Sequence, residues 1–114
     1  MVPHGMSVIL NAPSAFRVTA TTDPQRHIEA AGYLGADVSG AGPDDAGAVL
    51  AEDLVRIMRA VGMPNGLAAV GYAEADRTKL ADGAWPQQRL LQNAPIETDK
   101  PLLANIFADS MSYW

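Results

Sequence analysis

Apolar residues recur along this chain at helical spacing, and no stretch shows the sustained alternation of a half-buried strand. From His4 to about Ala20, Val8, Ala12, Ala15 and Thr19 fall on one side of a predicted helix, with Ile9, Phe16 and Ala20 beside them. Pro3 precedes it, near the permitted helix start. Pro13 lies inside, removes one backbone hydrogen bond and predicts a kink or a division. A second helix is predicted from Pro24 to Leu34. Thr22-Asp23-Pro24-Gln25 offers an N-cap oxygen, a first-turn proline and a Gln three after Thr22. Ile28, Ala31 and Leu34 face inward, and Gly35 is the stop. After a small, flexible loop from Asp37 to Gly42, Pro43-Asp44-Asp45 opens the strongest helix, with two carboxylates where the helix dipole favours them. Its stripe is Ala46, Leu50, Leu54, Ile57 and Val61. Gly62 and Pro64 end it.

Beyond a short apolar link from Gly66 to Tyr72, Glu74 to Ala84 reads as a helix with Arg77, Leu80, Ala81 and Ala84 on one side. Its N-cap position, Ala73, has no side-chain acceptor, which predicts fraying worth about 1 kcal/mol against a Ser cap. Gln87 to Leu91 forms one more short segment, and Asn93-Ala94-Pro95 a turn. Thr98-Asp99-Lys100-Pro101 starts the last helix. Leu103, Ile106, Phe107, Ser110, Met111 and Trp114 line one face of it. The fold class is therefore all-α, five to six helices with short connections, in a single helical domain over residues 1–114.

Composition narrows the function classes. The chain has 114 residues, enough for one domain. Hydrophobic residues make up 48% and the net charge is −5. That balance argues for a folded core and against disorder. No Lys/Arg cluster or basic face exists, so no nucleic-acid partner is expected. Cysteine is absent, which removes disulfides and thiolate metal sites. The first residues lack the pattern of a signal peptide, and the longest apolar runs are far short of a membrane span. The default expectation is a cytoplasmic protein with no membrane partner.

His4 is the side chain with the best case for chemistry. It stands at a helix start between Pro3 and Gly5, and Gly5 leaves room for a bulky neighbour. A neutral imidazole there can ligate a metal. A metal site needs three or four protein ligands, however, and the chain has 2 histidines. The other, His27, reads as a surface residue of the second helix. Asp44-Asp45 reads as helix-start electrostatics, and Glu52-Asp53 as a solvated face. No Gly-x-Ser-x-Gly, Gly-x-Gly-x-x-Gly or phosphate-binding loop occurs. Met6, Met58, Met63 and Met111 read as core filler. From the residues alone, no complete active site is present.

The stretch Val2-Pro3-His4-Gly5-Met6-Ser7-Val8-Ile9-Leu10 resembles the start of the last third of iron-containing (group III) alcohol dehydrogenases. The likeness continues through Pro24-Gln25-Arg26-His27, Leu34-Gly35-Ala36-Asp37, Gly66-Leu67-Ala68-Ala69-Val70-Gly71-Tyr72, Pro86-Gln87 and Ala94-Pro95. This series looks most like the hydroxyacid–oxoacid transhydrogenase branch. Ala73 departs from it, where that branch tends to have Ser.

The resemblance implies the C-terminal helical domain of a dehydroquinate synthase-like, two-domain oxidoreductase, with NAD(P) bound mainly by an N-terminal α/β domain. It implies Fe²⁺, or in some members Zn²⁺, held by one Asp and three His. The metal polarises an alcohol or carbonyl oxygen during hydride transfer. In the transhydrogenase branch a 4-hydroxy acid is oxidised and a 2-oxo acid reduced. Only His4 carries over as a metal ligand. The other ligands and the nucleotide-binding domain would lie upstream of Met1, so the expectation is a fragment, inactive alone. The Gln92-Asn93-Ala94-Pro95 turn is a candidate approach to the substrate. The alternative is a non-enzymatic interaction module that forms homo-oligomers through exposed apolar helix faces.

Overall fold

The structure, a computed structural model, describes all 114 residues, Met1–Trp114. Six α-helices and no strands form it: α1 (His4–Thr19), α2 (Pro24–Leu34), α3 (Ala46–Ala60), α4 (Arg77–Ala84), α5 (Gln88–Leu91) and α6 (Lys100–Asp109). Short 3₁₀ turns over Pro43–Asp45 and Glu74–Asp76 lead into α3 and α4, and a third spans Ala68–Val70. The chain divides into two compact units, one of residues 1–11 and 64–114, the other of residues 12–63.

In the second unit α2 packs on α3. Helix α2 begins where a proline fits the first turn and an acceptor precedes it. The acceptor is Asp23, whose Oδ1 takes the Arg26 N–H at 3.2 Å. The Thr22 hydroxyl instead donates back to the Thr19 carbonyl at 2.7 Å. Gly35 closes the helix with φ +110°, and the Ala36 N–H reaches the Ala31 carbonyl at 3.0 Å. Helix α3 buries Ala46, Leu50, Ala51, Asp53 and Met58. The predicted stripe thus holds over its first half and fails at Val61, which lies past the helix end and is exposed.

Asp53 corrects a sequence expectation. It is buried rather than part of a solvated face. Its Oδ1 accepts the Arg56 Nε–H at 2.8 Å, which holds the guanidinium above its ordinary range, while Oδ2 has no partner. Arg56 also donates to the Leu34 carbonyl at 3.4 Å, at the end of α2. In the loop between these helices, the Ser39 hydroxyl and N–H donate to Asp37 and hold its carboxyl below the usual carboxylate range.

Helix α1 is continuous through Pro13, against the predicted division. The fully buried positions are Leu10 and Pro13, with Ser14 nearly so. They stand at i, i+3 and i+4, one face of a helix. The predicted stripe lies elsewhere: Val8 is 55% exposed and Phe16 39%. A proline lacks its own N–H and crowds the carbonyl four residues back, so the cost is the bond to the Ile9 carbonyl plus that crowding. Burial of the ring offsets that cost.

In the first unit α4 packs on α6. Arg77 donates to Asn105, and Lys100 pairs with Asp82 at 3.1 Å across the same two helices. The Asp99 carboxylate caps α6 by accepting the Leu102 N–H at 2.7 Å. The Ala73 start is partly repaired from inside the turn, where Asp76 accepts the Ala73 N–H at 2.8 Å. Helix α6 stops at Asp109, so Met111 to Trp114 do not continue its stripe. Gly66, at φ +71°, lies against this end. A Cβ there would stand 2.5 Å from the Ser110 and Met111 carbonyl oxygens. The next two amides, Leu67 and Ala68, donate to those same oxygens at 2.9 and 3.0 Å. The close approach therefore supplies donors to the two carbonyls just past the end of α6.

Candidate functional site

His4 is the first residue of α1. Pro3 supplies the turn before it, since its carbonyl accepts the Ser7 N–H at 2.9 Å. The Ser7 hydroxyl donates to the His4 carbonyl at 2.7 Å. Both bonds tie down the His4 backbone and leave the ring alone. The side chain is exposed, and its imidazole makes no hydrogen bond or ion pair. A Cβ on neighbouring Gly5 would meet nothing within 4 Å, so the space beside His4 is open. The arrangement is a fixed helix terminus presenting one free nitrogen donor pair outward.

His27 is not a surface residue of the kind expected. It is half-buried, and both ring nitrogens are used. Nδ1 lies 2.7 Å from the Asp23 carbonyl and Nε2 2.8 Å from the Thr19 hydroxyl. A carbonyl only accepts, so Nδ1 carries the hydrogen and a neutral ring accepts the Thr19 hydroxyl at Nε2. Phe16 packs edge-on at 5.9 Å. His27 thus fastens the end of α1 to the start of α2 and has no lone pair to offer a metal.

The acidic residues do not converge. No group of three or more His, Asp or Glu side chains in the chain could hold a metal ion. Asp45 accepts the Gly42 N–H at 2.9 Å, as helix-start electrostatics predict. Gln92, Ala94 and Pro95 line an open cleft with Gln88, Leu91 and Glu97. This is the candidate substrate turn, and Glu97 is the titratable side chain that lines it.

Sequence reading missed one polar cluster altogether. The Asn65 side chain accepts the N–H groups of Tyr113 and Trp114 at 2.7 and 3.1 Å and donates to the Trp114 carbonyl. The Tyr113 hydroxyl donates to the Leu10 carbonyl of α1 at 2.7 Å. A turn residue 48 positions from its partner leaves no periodic signal.

The Fe-containing alcohol dehydrogenase family, C-terminal, matches residues 1–111. The chain belongs to this family. Its curated relatives include the probable mitochondrial hydroxyacid-oxoacid transhydrogenase of Dictyostelium discoideum, 41% identical over all 114 residues and 21% of that protein's length. The mitochondrial hydroxyacid-oxoacid transhydrogenase of Homo sapiens is 43% identical over the whole chain and 24% of its own length. The Xenopus tropicalis protein of the same name is 40% identical, with 25% of its length covered. The chain therefore spans about a fifth to a quarter of these relatives. No solved structure matches it. The helical domain of an iron-type alcohol dehydrogenase, an oxidoreductase family, is thereby established. The cytoplasmic default does not survive: relatives that match from end to end are named mitochondrial. Composition carries no compartment signal that could have shown this. No helix is long and apolar enough to cross a membrane.

Proposed function

We propose that residues 1–114 form the helical domain of a two-domain, metal-dependent enzyme that moves hydride between a hydroxy acid and an oxo acid. The observation that supports this most is identity of 40% or more to hydroxyacid-oxoacid transhydrogenases across the whole chain, with no stretch left unmatched. His4 is then one of the metal's ligands. Its exposure, its free ring nitrogens and the open space at Gly5 suit that role. The donor set fits one ligand and not a site, because three or four are needed and none converges on His4. A bound Fe²⁺ or Zn²⁺ supplies Lewis-acid polarisation of an alcohol or carbonyl oxygen, and NAD(P) carries the hydride. The chain's own part is to fix one imidazole at a helix terminus and to wall the space beside it with α1. The remaining ligands and the nucleotide site belong to other residues of the enzyme.

Zinc titration of the purified chain, followed by histidine ring NMR, tests the assignment. The His4 signals should move at weak, unsaturating affinity while those of His27 stay, since its nitrogens are taken. His4→Ala should abolish the response. Equal zinc uptake by chain and variant would remove His4 as a ligand. Supplied with metal, NAD and a 4-hydroxy acid, the chain alone should form no NADH, and NADH formation would refute the single-ligand reading.

A further inference from the structure

Asn65 is followed by Gly66, the pair in which an asparagine side chain is least shielded from the next backbone nitrogen. We propose that this pair is a deamidation site gated by the C-terminal tail. In the structure the side-chain amide is held by three bonds. Its Oδ1 takes the Tyr113 and Trp114 N–H groups, and its Nδ2 donates to the Trp114 carbonyl. The Gly66 N–H is itself engaged with the Pro64 carbonyl at 3.0 Å. The target carbon is thus held by the docked tail, and the attacking nitrogen by a bond within its own turn.

Release of the tail removes the restraint on the side chain. The Gly66 nitrogen then gives its proton to a solvent base and bonds to Asn65 Cγ. The Cγ–Nδ2 bond breaks, and ammonia leaves with a proton returned by solvent. The product is a five-membered cyclic imide. Water adds to either ring carbonyl and opens it to an aspartyl or isoaspartyl residue. One water is consumed, one ammonia is released, and nothing is oxidised.

The product does not restore all three bonds to the tail. An aspartate at 65 keeps the acceptor facing the Tyr113 and Trp114 amides. Its second oxygen, however, replaces the nitrogen that donated to the Trp114 carbonyl, so a bond becomes a repulsion between oxygens. An isoaspartyl link adds a methylene to the backbone beside Gly66, where even a Cβ would stand 2.5 Å from the Ser110 and Met111 carbonyls. Either product holds the tail less well, and the tail carries the Tyr113 hydroxyl that donates to the Leu10 carbonyl. The site is a one-way loosening of the tail.

The test incubates the full chain at neutral pH and follows the one-dalton mass gain by peptide mapping. A synthetic peptide of residues 62–69 serves as the unrestrained reference, and Asn93 serves as an internal exposed one. Asn65 in the folded chain should react at least about tenfold slower than in the peptide, as ~1.4 kcal/mol of docking would require. Removal of residues 112–114 should raise the rate severalfold toward the peptide's. If that chain loses its helical circular dichroism, Tyr113→Phe, which deletes only the hydroxyl, should still speed the reaction measurably. Asn65→Asp should lower hydrogen-exchange protection of the Tyr113 and Trp114 amides. A folded-chain rate equal to the peptide's, a rate that does not rise without the tail in a folded chain, or unchanged tail protection in Asn65→Asp would each overturn the proposal.

Discussion

Asp53 and Arg56 show how unequal the two ends of one ion pair can be. The Asp53 side chain is 5% exposed and that of Arg56 58%. Arg56→Ala would leave a buried carboxylate with no donor on either oxygen, so it should destabilise the fold measurably. Asp53→Asn keeps an acceptor for the guanidinium and removes a buried charge, so it should cost less than about 1 kcal/mol. Urea denaturation of both variants decides; a larger loss in Asp53→Asn would mean that the charge itself stabilises α3. By contrast His4→Ala should change stability by less than about 0.5 kcal/mol, since the ring touches no partner. A large loss there would make His4 a structural residue. These contrasts were invisible in the sequence. Glu52 and Asp53 are the same chemistry at adjacent positions, and one residue of helical rotation, 100° by 3.6 residues per turn, decides which is buried.

Helix positions were more legible than helix faces. The bounds of α2 follow from Asp23, Pro24 and Gly35, because caps act through backbone bonds that short sequence signals specify. The buried face of α1 was misread, since Pro13 looked like a defect and is in fact a core residue flanked by Leu10 and Ser14. The last stripe was read one turn too far, since Ser110 ends α6 and Trp114 belongs to a folded tail. Glycines sharpen the point. Gly66→Ala forces a positive φ and a 2.5 Å approach to two carbonyl oxygens. It should cost about 3 kcal/mol or more, from backbone strain plus overpacking. Gly83, inside α4 with nothing within 4 Å of its Cβ, should behave oppositely. Gly83→Ala should stabilise by up to about 1 kcal/mol. Thermal denaturation separates them, and a neutral Gly66→Ala would show that the tail end of α6 can shift.

At the scale of the whole molecule, the family was legible from an ordered series of short motifs, while no metal site was, because no three donor side chains converge. The rival reading, self-association through apolar helix faces, turns on what remains exposed. Of the last stripe, Leu103 is 8% exposed and Ser110 fully buried, while Trp114 is 40% exposed. Val8, Phe16, Tyr33, Val61 and Leu90 are exposed as well. They come from α1, α2, the end of α3 and α5, so no single helix offers a continuous seam. At pH 7 the net charge of −5 opposes contact between copies, and near the isoelectric point of about 4.7 that repulsion disappears. Light scattering should therefore give a mass near 12.0 kDa at neutral pH, rising as pH approaches 4.7. The rise should be suppressed by salt-independent means, such as Val8→Lys on the exposed side of α1, only if that face is the contact. A stable dimer at neutral pH and low concentration would instead favour a specific interface, because scattered side chains without charge neutralisation do not hold one together.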